Sequence, residues 1–249
     1  MKRSQFCKAM FAALACASSV TAVAATTPTP TGPVGLNVKV GGVISPGSCT
    51  PESGAVSFDM KKIRPTALLE KAATPLAAAA QPLVIKCDGG DTAVMLSVAG
   101  AVMAAVASDK ELTHASAGIN AGAKSGYIYD LVDAKDSSKR IGRYAFQFRN
   151  FRYKTAASTT AASDAVVVTS TDKVTWAKAA ETATNAAQLK ADGSSYLTFA
   201  DPATPAVPVR ASVFSGNVVI GAALQPKSEL VITDDLTFRG ETTITLAYL

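Results

Sequence analysis

The side chains in this sequence that can do chemistry are few, and their spacing restricts them further. A single histidine, His114, sits in a polar, alanine-rich segment with no nucleophile motif around it, so a serine or cysteine triad has one candidate base and nothing to orient it. Asp and Glu are dispersed, and no pair of carboxylates is tied by a recognisable motif. The four cysteines lack the paired CxxC spacing of a metal site. No catalytic residue, metal ligand or cofactor-binding residue is therefore expected. What remains is thiol chemistry. Cys7 and Cys16 lie in an N-terminal stretch with the pattern of a secretory signal, so Cys49 and Cys87, 38 residues apart, are left as an isolated pair that in an oxidising compartment most simply forms one disulfide.

The signal reading rests on Lys2, Arg3 and Lys8, an apolar run over residues 9–17 too short to span a bilayer, and Ala22-Val23-Ala24 at the cleavage positions. Ala13 stands where a lipidated Cys16 would want a large aliphatic residue, so Cys16 reads as discarded with residues 1–24. Removing Lys2, Arg3 and Lys8 takes the formal net charge from +5 to +2. Scattered charges of that sum exclude a nucleic-acid binder on electrostatic grounds. The densest basic stretch, residues 135–152, alternates with aromatics and reads as a solvated strand face.

The elements that must carry these residues are strands. Residues 26–33 are Thr, Pro and Gly, a flexible leader. Leu36, Val38, Val40, Gly42 and Ile44 then share one face of an extended segment, with Asn37, Lys39 and Gly41 on the other. Short alternating runs follow at 55–60, 82–87, 93–99, 127–132, 141–149, 213–220 and 230–232, and Tyr144, Phe146 and Phe148 form an inward aromatic row. Prolines limit any helix in the alanine-rich stretch between Pro65 and Pro82 to a turn or two around residues 67–72, and residues 177–189 are predicted to form a short surface helix. At the end of the chain Leu236, Phe238, Gly240, Thr242, Ile244, Leu246 and Tyr248 fall on one face. About ten short strands with turn signals and no βαβ spacing imply an all-β antiparallel sandwich, with Cys49 and Cys87 stapling its two sheets.

Both termini thus offer amphipathic strands that need a partner surface. Burying Leu36, Val38, Val40 and Ile44 would stabilise a joint by roughly 1.5–3 kcal/mol per side chain before ordering costs. Strand addition to another subunit would use them.

The signal, the alternating N-terminal extension with Gly42 seven residues before Cys49, the Cys49/Cys87 pair and the C-terminal alternating strand with penultimate Tyr248 together resemble chaperone–usher fimbrial subunits. Residues 141–144, 175–176 and 225–230 are most similar to a poorly characterised branch, the β-fimbrial-subunit-like exported proteins of Gram-negative bacteria. The resemblance implies an immunoglobulin-like antiparallel β-sandwich of pilin type, incomplete, with a free N-terminal donor strand. On that pattern residues 1–24 are the signal, 25–44 the leader and donor strand, and 45–249 the sandwich domain. Leu36, Val38, Val40, Gly42 and Ile44 would enter another subunit's groove, Gly42 at the small inward position. Leu236, Phe238, Thr242, Ile244, Leu246 and Tyr248 would line the acceptor groove that a chaperone also reads. The implied partners are a periplasmic chaperone, an outer-membrane usher and other copies or related subunits, and the implied route is export to the periplasm and then to a surface fimbria. Two departures stand out: the glycine of the last strand, Gly240, falls later than in the familiar pattern, and residues 155–209 exceed a typical shaft subunit. The competing reading is a stand-alone exported adhesin or glycan-binding module, with a host-surface ligand held by loops at 104–126 or 155–209.

Overall fold

The computed structural model describes residues 48–52, 54–103, 123, 126–178, 180, 183–232 and 235–249. The expected signal, leader and donor segment, including Leu36, Val38, Val40, Gly42 and Ile44, lie outside the described residues, as does His114.

Alternating sequences pair as strands β1 (Ser48–Pro51), β2 (Thr74–Pro75), β3 (Ala79–Asp88), β4 (Val94–Ala101), β5 (Tyr129–Asp133), β6 (Arg140–Lys154), β7 (Ser163–Asp164), β8 (Val166–Ser170), β9 (Tyr196–Ala200), β10 (Val213–Leu224), β11 (Phe238–Arg239) and β12 (Thr242–Tyr248). One sheet runs β1-β3-β10-β6-β5-β11, with β2 added to β10 and β7 to β6. The other runs β12-β4-β9-β8. Every strand pairing is antiparallel. The fold is an all-β, immunoglobulin-like antiparallel sandwich. The only helical turns among the described residues are the 3₁₀ segments Pro65–Ala67 and Lys227–Glu229. None of the described helices is long and apolar enough to cross a membrane.

The core lies between the sheets, where period-two alternation sends Leu83 and Ile85 of β3, Phe146 and Phe148 of β6, and Phe214, Val218 and Ile220 of β10 toward Leu96, Val98, Leu197 and Phe199 of the other sheet. The row Tyr144, Phe146, Phe148 is buried as its alternation predicts, and it extends into a chain of ring contacts from Tyr129 through Phe151 to Phe199 and Phe214, with neighbouring centroids 4.3–6.1 Å apart. The other face of β4 and β9 is covered separately. Trp176 packs there on Met95, Val168 and Ala200.

Several expectations are corrected by long-range packing. Cys49 and Cys87 are bonded, but they face each other on the adjacent strands β1 and β3, so the bridge staples an edge strand to its own sheet and does not join the two sheets. The polar face of β6 is not simply solvated: Arg143 and Gln147 are buried, and Asp130 on β5 takes the Arg140 guanidinium at 2.7 Å. Burial pulls the Arg143 guanidinium below its ordinary value, with Arg140 adding to the effect.

Among the described part of residues 177–189 there is no helix. Asn185 (φ 63°) and Ala187 (φ 52°) are left-handed, and the chain runs along the edge of β6 that β5 leaves open. There the Ala187 carbonyl accepts from the Phe148 N–H, the Ala186 carbonyl from Gln147 Nε2, and the Leu189 carbonyl from the Tyr129 hydroxyl. Covering a sheet edge and burying Leu189 completely outweigh the helical preference of alanine. Residues 55–60 and 230–232 are likewise outside the strands, and the alternating C-terminal run is broken in two at Gly240.

Candidate strand-accepting groove

The site is built on β12. Its residues pair with β4 from Thr242 opposite Ala101 to Tyr248 opposite Val94, with a register shift between Thr243 and Ile244. On its other side β12 has no strand among the described residues. Gly240 sets up this edge. The chain leaves the first sheet at β11, which pairs with β5, and joins the second at Thr242. A Cβ at Gly240 would come within 2.5 Å of a Tyr144 ring carbon and 2.8 Å of Leu131, so only glycine lets the backbone cross between sheets directly over the core. Just beyond the crossing, the Tyr144 hydroxyl and Thr242 Oγ1 are 2.6 Å apart. Burial, partly offset by this bond to Thr242, pushes the Tyr144 phenol up to about 12, and burial raises Tyr129 as well. At the far end of the strand the Tyr248 hydroxyl accepts from the Cys49 N–H at 3.0 Å, tying the edge of one sheet to the edge of the other beside the disulfide.

Alongside β12 runs a groove of about 1000 Å³. Its floor is the interior of the sandwich: Ile85, Leu96, Phe146, Phe148, Val218 and Ile220 all reach its surface. One wall is formed by residues 235–246 and the other by residues 54–63. On that second wall Val56, Phe58, Met60 and Ile63 pack partly buried against the core, and Ser57, Asp59, Lys61 and Lys62 point to solvent. The walls meet where Lys62 Nζ lies 3.0 Å from an Asp235 carboxylate oxygen. At roughly 3.3 Å per residue, β12 runs extended beside the groove for about 20 Å, enough to pair with an extended segment.

Of the residues singled out for an acceptor groove, Leu236, Phe238, Thr242, Ile244 and Leu246 all line it. Tyr248 does not line it and forms the tie to Cys49 instead. Sequence reasoning missed the opposite wall, although the alternation of Val56, Phe58 and Met60 signalled an element there. It also missed Leu230 and Ile232, which close the groove beside Leu68. Among the described residues no group of three or more His, Cys, Asp or Glu side chains is placed to hold a metal ion. What the geometry offers is an apolar trough beside a β12 edge that has no second strand partner among the described residues, an arrangement of the kind that takes an extended chain by main-chain hydrogen bonds and alternate side chains. No family model matches the chain, and no match to it is found among curated proteins.

Proposed function

We propose that this chain is a structural subunit of a surface fimbria assembled by donor-strand exchange. An N-terminal signal exports it, a periplasmic chaperone covers the groove beside β12, and an outer-membrane usher exchanges the chaperone for residues 34–44 of another copy or a related subunit. The observation that carries this reading is the apolar groove opening into the centre of the core along the edge of β12 that has no strand partner among the described residues. The edge of β6, by contrast, is covered by residues of its own chain, β7 and the 186–187 backbone, and the outer edge of β8 is bridged by Ala177. Edges covered in this way, beside a β12 edge with no second strand partner among the described residues, support the reading that the trough receives a strand from elsewhere. Leu36, Val38, Val40, Gly42 and Ile44 supply the alternation such a trough accepts. The Cys49–Cys87 disulfide suits an oxidising compartment.

The test is strand uptake. A full chain carrying Val38→Asp and Val40→Asp can accept but not donate, and a peptide of residues 34–44 should raise its melting temperature by at least several degrees. The same peptide with both aspartates should do nothing. No response to the native peptide would count against strand donation and leave the stand-alone module as the better reading.

A further inference from the structure

We propose that residues 55–60 form a strap that can swing across the open groove and pair with β12, so that an incoming strand from another molecule competes with closure of the strap. The inference rests on the reading of the groove as a strand acceptor. Val56, Phe58 and Met60 are partly buried against the core while Ser57, Asp59 and Lys61 are exposed. That is the alternation of a β-strand. Yet no backbone hydrogen bond joins residues 54–63 to a neighbour among the described residues. Across the groove β12 has one strand partner among the described residues, and Ile244 is 37% exposed on it. Two amphipathic segments, each with an apolar face and with no backbone partner on the groove side among the described residues, thus flank one trough.

The strap is held at both ends and loose between them. At one end the Glu52 N–H donates to the Val84 carbonyl (2.9 Å) and the Cys49 N–H to Tyr248 (3.0 Å). At the other Lys62 meets Asp235, already on the opposite wall. The free span is bounded by Gly54, where a Cβ would meet nothing within 4 Å, and by Lys61, left-handed at φ 59° with its N–H on the Asp59 carboxylate. Closure therefore moves only the middle of a segment whose ends already lie against the chain on either side of β12. An incoming strand must displace the strap, and its apparent affinity falls by the fraction of molecules that are open.

The experiment uses the full chain with Val38→Asp and Val40→Asp, to which Ser57→Cys is added together with Thr243→Cys or, for the neighbouring register, Thr245→Cys. A disulfide needs Cα atoms within about 7 Å, so it reports closure. In at least one register an intramolecular disulfide should form on mild oxidation, its rate should drop at least tenfold with the 34–44 peptide in excess, and the locked form should take up peptide at least tenfold more slowly. Phe58→Ser, which weakens the strap and leaves the β12 edge untouched, should speed uptake severalfold. Thiols that stay unpaired in both registers while the peptide still raises the melting temperature would overturn the strap and leave the acceptor groove standing. Thiols that pair while the peptide affects neither readout would overturn the gate and the acceptor reading together.

Discussion

At the scale of single residues, the contacts that shape the groove are the ones whose loss is measurable. The disulfide closes a separation of 38 residues, which on the chain-entropy account restrains the unfolded chain by roughly 4 kcal/mol. Replacing both Cys49 and Cys87 with Ala should lower the unfolding free energy in urea by about 2–4 kcal/mol, with the effect larger than that of Tyr248→Phe, which removes one partly buried hydrogen bond worth about 1 kcal/mol. Tyr144 gives a pH signature. Its phenol stands at about 12 in the folded chain against an ordinary 10.0. A raised folded value means that the unfolded state loses its proton first. The contribution is therefore fully present below pH 10 and is lost as pH rises from 10 through 12. Urea unfolding at pH 8 to 11 should show stability falling near and above pH 10, by about 1 kcal/mol at pH 11 from this group, and Tyr144→Phe should reduce that fall to the part due to buried Tyr129 while lowering the plateau through loss of the Thr242 bond.

At the scale of elements, the segments that a local reading misplaces are the ones that close the structure. Leu189 is completely buried in a stretch that alanine content marks as a surface helix, so Leu189→Ala should cost about 2–5 kcal/mol in urea unfolding, far beyond a surface substitution. Gly240→Val should be at least as costly, because its side chain would occupy the space of the Tyr144 and Leu131 side chains. The strands and their inward faces were legible because period-two alternation is local: Leu83 and Ile85, Phe146 and Phe148, and Ile244 and Leu246 can each be read without a partner. The disulfide was legible as a pair but not as a cross-strand pair. Which strand lies beside β1 depends on the chain coming back through residues 79–88 as β3, a topological fact with no local signature. The break at Gly240 was hidden for the same reason, since the glycine continues the alternation and only the Tyr144 ring beneath it shows why the chain changes sheets there. Half of the groove followed from the C-terminal pattern. The other half, residues 54–63, sits opposite because β1 and β3 hold its start and Val56, Phe58, Met60 and Ile63 pack against a core assembled from distant strands.

At the scale of the whole molecule, the proposed donor near one end of the chain and the proposed acceptor groove elsewhere would make a heterologous contact, which propagates instead of closing. Two variants break the propagation in different ways. A chain with Val38→Asp and Val40→Asp can accept but not donate. A chain with Ile244→Lys, which puts a charge at a half-exposed position on the acceptor edge and so should spare the fold, can donate but not accept. Each variant alone should run as a monomer in size-exclusion chromatography with light scattering. Mixed, they should give a single species of twice the mass and nothing larger, because the one productive joint uses the only working donor and the only working groove. The native chain should give a ladder whose length grows with concentration. Self-complementary pairing through one symmetric patch predicts a different outcome: the native chain would stop at a dimer, and the mixture would gain nothing over the separate variants. Monomers throughout, native chain included, would match a self-contained module. The mixing experiment therefore distinguishes polymer, closed dimer and module from mass alone.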